Sequence, residues 1–195
     1  MKMAKKVIVL SGASSVGKGK IKQLLLQDKE LDLRSVISMT TRPKKENEVD
    51  GNDYYFVDYT YFAKAVKDKA LYEYTEFNGY YYGTLKSEID FWLKQGKNIL
   101  VEVEAQGVGP LKLNIPEAVC FFVVPTSMEE LEKLIHEKYN DDAASERMRI
   151  NKAKMEMEIA PLFNNQITND SPERAYEEIK EITLREWAKL EEDEK

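Results

Sequence analysis

Seven consecutive residues, Gly12-Ala13-Ser14-Ser15-Val16-Gly17-Lys18, set a glycine at either end of a six-residue span and a lysine directly after it. Glycines at that spacing let backbone N–H groups curl around phosphate oxygens, and the lysine reaches the outer phosphates of the same ligand. The context supports the motif. It follows the apolar run 7–10 and opens a segment in which Ile21, Leu24 and Leu25 recur at helical spacing, so a helix N-terminus adds its dipole to the anion site. Gly19 and Lys20 come next, where many such loops carry a Ser or Thr hydroxyl for Mg²⁺. A magnesium ion is therefore expected to rely on water and on the ligand's own oxygens. A second chemical feature is the pair Glu102 and Glu104 at the end of the apolar run 98–103. Their period of two puts both carboxylates on one face, and the carboxyl end of a buried strand opens on the ligand crevice of an α/β sheet.

These groups can act together only if a sheet brings the strand ends side by side. Short apolar runs at 7–10, 98–103 and 119–124 alternate with amphipathic segments, the pattern of an α/β fold with a largely parallel sheet. Residues 35–82 differ in character. Many Tyr and Thr, short alternating segments, and turn signals at Arg42-Pro43, Asp50-Gly51 and Asn78-Gly79 predict a small, mostly β insertion. Leu85, Ile89 and Trp92 predict a helix that Gly96 caps. Thr126 or Ser127, each with a Glu three residues on, is expected to N-cap a helix carrying Leu131, Leu134 and Ile135. A charged stretch, 136–154, follows. Ser171 and Pro172 start a last helix with N-cap and N1 chemistry, and the acidic residues 191–194 are expected to fray.

A chain of 195 residues is one compact domain with room for mobile subdomains. Its 43% hydrophobic and 33% charged residues are ordinary for a soluble protein, and no run approaches the ~20 apolar residues of a membrane span. The net charge of −6 argues against a nucleic-acid surface, so an anionic ligand must find local positive charge. Cys120, the one cysteine, excludes an intrachain disulfide and reads as a buried strand residue in a reducing compartment. The run 7–10 is too short for a secretory leader, and a cytoplasmic location is expected.

The segments Ser38-Met39-Thr40-Thr41-Arg42-Pro43, Glu48-Val49-Asp50-Gly51-Asn52-Asp53-Tyr54, Glu73 and Gly79-Tyr80-Tyr81-Tyr82-Gly83-Thr84 follow the phosphate loop in that order. Together they resemble the guanylate kinases, and the likeness extends along nearly the whole chain. The resemblance implies an α/β P-loop NTPase fold in which helices flank a parallel sheet, with a small β-rich GMP-binding insertion and a helical lid. It divides the chain into a core (1–37, 85–133 and 155–195), the insertion (38–84) and the lid (134–154). The implied reaction moves the γ-phosphoryl group of ATP to GMP or dGMP, with Mg²⁺ accompanying ATP. Carried over by position, Gly12, Ala13, Ser14, Ser15, Val16, Gly17, Lys18, Gly19, Lys20 and Asn169 look like the ATP site. Arg42, Lys45, Tyr54 and Tyr82 look like the ligands of the GMP phosphate, and Ser38, Glu73 and Thr84 like the guanine readers. A carboxylate such as Glu73 can accept from guanine N1–H and the 2-amino group together, a pair of donors that adenine lacks. Lys18, Arg42 and Arg149 are the implied catalytic set. Glu102 would reach Mg²⁺ through water, and Glu104 the GMP ribose or Arg42.

The chain departs from the family pattern at several of these places. Lys45 stands where the family has an arginine, which replaces a bidentate fork by a point charge. Glu102 and Glu104 stand where the family has aspartates. Where the family's lid supplies arginines, this chain has Leu134, Lys138 and Arg149, with Arg147 as a substitute; both arginines also read as a solvated helix face. His136 is expected to be exposed, and Asn169-Asp170 reads equally as a plain turn before a helix. Two alternatives stay open: a guanylate-kinase-like binding module with weakened catalysis, and a kinase for another nucleoside monophosphate. A monomer or homodimer with small-molecule substrates, and with neither nucleic acid nor membrane as partner, is expected.

Overall fold

The structure, a computed structural model, describes residues 6–139 and 142–193. In chain order, β1 (Val7–Gly12), α1 (Lys18–Gln27) and β2 (Leu33–Ser35) begin the core. The insertion holds β3 (Met39–Thr40), β4 (Tyr55–Phe56), α2 (Tyr59–Lys67), β5 (Leu71–Phe77) and β6 (Tyr80–Leu85). The remainder comprises α3 (Lys86–Lys94), β7 (Asn98–Glu102), α4 (Ala105–Asn114), β8 (Val119–Val124), α5 (Met128–Tyr139), α6 (Ala143–Ile159), β9 (Asn165–Thr168) and α7 (Pro172–Asp193).

Alternation along β1 builds both faces of the core. Ile8 and Leu10 join Ile21 and Leu25 of α1, Leu131 and Ile135 of α5, and Ile179 and Trp187 of α7 on one side. Val7 and Val9 join Ile89 of α3 and Val108 and Leu111 of α4 on the other. A strand buried on both faces belongs in the middle of a parallel sheet, and β1 does lie between β7 and β8 in the order β2-β7-β1-β8-β9. Each of those pairings is parallel, so the carboxyl ends of all five strands open on one crevice. The insertion forms its own four-stranded sheet, β4-β3-β6-β5. Its hairpin turns at Asn78 and Gly79, both at positive φ, as a tight two-residue turn requires.

The expected caps are present. Ser127 Oγ accepts from Glu130 N at 3.1 Å and Ser171 Oγ from Arg174 N at 3.1 Å, while Gly96 closes α3 at φ 71°. Several expectations need correction. Leu85 ends β6 and is not part of α3. Leu134 is 40% exposed, because the core-facing side of α5 is made by Leu131 and Ile135, flanked by Met128 and Tyr139. Cys120 is half-buried. The acidic end does not fray at residue 191: α7 continues to Asp193, and Lys6 Nζ donates to Glu191 Oε1 at 2.5 Å; Glu194 lies outside the described residues. Helices α2 and α4 were not expected, and the lid boundary expected at residue 154 falls inside α6.

Asp28 ties the end of α1 to α7. Its Oδ1 accepts from Glu30 N at 2.8 Å and Leu31 N at 3.0 Å, and its Oδ2 from the Tyr176 hydroxyl and from Lys180 Nζ at 2.8 Å. Burial alone would raise this carboxyl, but the Lys180 ammonium, Tyr176 and the two N–H groups hold it well below the usual range. Asp28→Ala should cost about 2–3 kcal/mol of stability at neutral pH, the scale of hydrogen bonds to a charged group. A depressed carboxylate contributes stability above its unfolded value and loses it as pH falls. In urea titrations the gap between wild type and variant should therefore close below about pH 4.

Candidate active site

The loop after β1 takes its shape from the sheet beside it. Ala13 N donates to Val123 O at 3.2 Å and Val16 N to Ala13 O at 3.3 Å, which turns the chain at the strand end. Asn169, just past β9, donates through Nδ2 to Val16 O at 2.7 Å. Gly17 N-caps α1 at φ 94°, and a Cβ there would lie 2.7 Å from Asn169 Nδ2, so only glycine fits both the backbone and the neighbour. Lys18 Nζ folds back onto Gly12 O at 2.8 Å and Ala13 O at 3.0 Å. Burial lowers its pKa, opposed by the carboxylates of Glu102, Glu156 and Glu104.

An internal anion already sits on this loop. Glu156 of α6 accepts from Ser14 N at 2.6 Å through Oε2. Lys152, one turn earlier, lies 2.5 Å from Glu104 Oε2 and 3.8 Å from Glu156 Oε1, with its ammonium 3.6 Å from the centre of the Phe77 ring on β5. One lysine of α6 thus reaches both Glu104, which N-caps α4, and Phe77 of the insertion. Burial raises the Glu156 carboxyl, while Lys152 holds that of Glu104 below its usual value against its own burial. Neither Lys152 nor Glu156 was singled out from the sequence; their i,i+4 spacing of opposite charges was the available signal.

On the acceptor side, Glu73 of β5 is buried, 6% exposed. Thr84 Oγ1, its cross-strand neighbour, donates to Glu73 Oε1 at 2.5 Å. Burial pushes the Glu73 carboxyl up to about 7. A Cβ on Gly107 of α4 would lie 2.5 Å from Glu73 Oε2, so the missing side chain is what lets the insertion's carboxylate approach the core. Gly12, Ser14, Ser15, Lys18, Ser38, Tyr54, Glu73, Tyr82, Glu102, Glu104 and Glu156 all face one cavity of about 180 Å³. The rings of Tyr54 and Tyr82 meet edge to face at 5.9 Å, and burial pushes the Tyr54 hydroxyl up to about 12.

Other expected residues stand apart from that cavity. Arg42 makes a fork to Glu48, Nη1–Oε2 at 2.9 Å and Nη2–Oε1 at 2.7 Å, beside the rings of Tyr54 and Phe56. That fork holds the Glu48 carboxyl down at about 2. Lys45 and Lys20 are exposed, as is Gly19. Arg149 lies over the Tyr139 ring at 4.1 Å, and Arg147 faces a neighbouring cavity between α6 and the β5–β6 hairpin. Glu102, by contrast, does face the cavity and is paired there with Lys22 at 3.3 Å. His136 is exposed, with Nδ1 3.1 Å from Glu146.

The sequence profile described as Guanylate kinase matches residues 4–186. The chain belongs to the guanylate kinase family. It is 36% identical to the guanylate kinase of Mycoplasma mobile over 187 residues, 93% of each chain. Against the guanylate kinase of Thermus thermophilus the identity is 38% over 173 residues, 89% of this chain and 78% of the relative. The crystal structure of guanylate kinase from Anaplasma phagocytophilum superposes with a TM-score of 0.74 at 26% identity, covering 95% of this chain and 87% of that one. The α/β fold with its parallel sheet is therefore the guanylate kinase P-loop fold.

Two predictions follow from the Glu73 geometry in this guanylate kinase homologue. If Glu73 reads guanine, as its place in the family pattern implies, only its ionised form can accept from the base, so KM for GMP should rise as pH falls below about 7, approaching tenfold per pH unit. Steady-state kinetics of Glu73→Gln should lack that limb. Gly107→Ala should displace Glu73 and raise KM for GMP about tenfold or more, while ATP binding measured by calorimetry changes little.

Proposed function

We infer that the protein catalyses transfer of the γ-phosphoryl group of ATP to GMP or dGMP, giving ADP and GDP or dGDP. The observation that carries this reading is the shared cavity, whose wall holds both the phosphate-loop lysine Lys18 and the guanine-competent carboxylate Glu73, the latter held from behind by the buried Thr84 hydroxyl. Phosphoryl transfer needs positioning and charge stabilisation more than covalent chemistry, and the cavity offers backbone N–H groups, lysines and carboxylates.

In this assignment the loop 12–18 holds the ATP phosphates and Asn169 braces the loop from β9. Tyr54, Tyr82 and Arg42 hold the phosphate of GMP, with Arg42 released from Glu48. Ser38 assists Glu73 and Thr84 at the base. Mg²⁺ fits the donors present: Glu102 offers a half-exposed carboxylate at the cavity wall, and no group of three acidic, His or Cys residues among those described could hold an ion unaided. The ion would therefore depend on ATP oxygens and water, with Glu102 as its protein contact. When bound it would supply positive charge that offsets the charge of the ATP phosphates. A cavity of about 180 Å³ is smaller than a nucleotide site of roughly 300 Å³ or more, so lid and insertion must part to admit substrates and close to exclude water. One chain supplies all of these groups, which suits a monomer or a homodimer. The lone half-buried thiol and the nucleotide substrates suit the cytoplasm; no described helix is long and apolar enough to cross a membrane.

The test is ADP formation from ATP and Mg²⁺ with GMP, dGMP, AMP, CMP and UMP offered separately, against Lys18→Ala as the blank. Activity should be confined to the guanine acceptors. GMP binding without turnover above the blank would replace this reading by a catalytically degenerate binding module.

A further inference from the structure

We propose that Lys152 is the lid cation that contacts the transferred phosphoryl group. The inference rests on the ATP:GMP reading above and goes beyond it by naming a residue outside the expected set.

The Glu156 carboxylate marks where an anion sits on the loop. Its Oε2 takes the Ser14 N–H at 2.6 Å, the kind of donor that a phosphate oxygen takes in such a loop. Two ammonium groups act on that carboxylate, Lys18 from the loop and Lys152 from the lid. Lys152 Nζ is 3.8 Å from Glu156 Oε1. An anion replacing Glu156 on Ser14 N–H would therefore lie between Lys18 and Lys152.

No other described cation of the lid is so placed. Lys138 and Arg149 both lie over the Tyr139 ring. Lys154 pairs with Glu132 at 2.7 Å. Arg147 lines the neighbouring cavity together with Lys152 but is exposed, whereas Lys152 is the one tied to Glu104 and Glu156. Lys152 is 16% exposed, and Glu104 and the Phe77 ring hold it on the insertion side of the loop, the side from which the acceptor arrives. In the transfer, an oxygen of the GMP phosphate bonds to the γ-phosphorus as the bond from that phosphorus to the β,γ-bridging oxygen breaks, leaving ADP. Charge on the three equatorial oxygens is what a cation on the far side from Lys18 stabilises.

The test compares Lys152→Met and Lys152→Arg with wild type, by steady-state kinetics and by ADP binding in the presence of GMP and aluminium fluoride, which mimics the phosphoryl group in flight. Lys152→Met should lower kcat roughly 10²-fold with KM for ATP and GMP within about threefold. It should abolish the tightening of ADP binding by fluoride, while ADP and GMP each bind alone as before. Lys152→Arg should recover most of the rate. A Met variant that melts normally and keeps kcat within threefold of wild type overturns the proposal and leaves Lys152 a latch. An Arg variant no better than Met while fluoride still tightens ADP binding in both overturns it too. Failure of wild type to phosphorylate GMP in the same assay would instead remove the reading on which the proposal stands.

Discussion

Charges withdrawn from water at the meeting point of core, lid and insertion constrain everything around them. Lys152 and Glu156 have side chains only 16% and 8% exposed, with Glu73 buried and Lys18 half-buried beside them. Moving one such charge out of water unpaired costs several kcal/mol, and removing one partner of a buried pair costs about 3–5 kcal/mol. The arrangement survives because every lysine in it has carboxylate or carbonyl oxygens within reach. That condition fixes geometry across elements far apart in sequence: the turn between β7 and α4 must deliver Glu104, α6 must deliver Lys152 and Glu156 on one face, and the hairpin must deliver Phe77.

The parallel sheet supplies the rigid side of that constraint. Strands β1, β7, β8 and β9 end at the same edge, so Gly12, Glu102, Val124 and Asn169 emerge close together although they are scattered along the chain. Asn169 shows the economy of the scheme. Its backbone N extends the sheet by bonding to Val124 O at 2.9 Å, and its side chain fixes the carbonyl before Gly17. The loop is thus shaped by strand register before any ligand arrives, which is the preorganisation that makes backbone amides effective anion ligands.

The sequence revealed the parts of this whose signals are local. Glycine spacing around a lysine, alternation in β1, Ser caps on α5 and α7, and the Asn78-Gly79 turn each lie within a few residues. Helix α4 was hidden because Gly107, Gly109 and Pro110 are poor helix formers, and burial of Val108 and Leu111 against β1 and β7 overrides that preference. Helix α2 was hidden among tyrosines that read as strand, although Asp58 accepting from Tyr61 N is an ordinary N-cap. Lys152 and Glu156 lie in a stretch so rich in charge that a solvated face was the natural reading, and only the fold shows which side of α6 meets the loop. The restraint of Arg42 by Glu48 was unreadable for the same reason, since the expected partner of that arginine was a substrate.

Both halves of the site share one condition that the ligand-free geometry makes plain. On the donor side a carboxylate, Glu156, occupies the loop N–H that a phosphate would take; on the acceptor side a carboxylate, Glu48, occupies the guanidinium fork of Arg42. On the proposed function, each phosphate-binding group therefore begins satisfied, and a nucleotide would bind by exchange of one anion for another. Exchange keeps the buried cations from ever standing uncompensated, so a chain of net charge −6 can hold a local cationic site without losing the stability of the closed form. It also selects for phosphate. A dianionic phosphate offers more acceptor oxygens and more charge than the carboxylate it displaces, whereas a monoanion of similar size gains little by the swap. Of the two, the Glu156 contact joins α6 to the loop 12–18, so on the proposed function its displacement is the one coupled to movement of the lid, whereas Arg42 and Glu48 both belong to the insertion and can part within it.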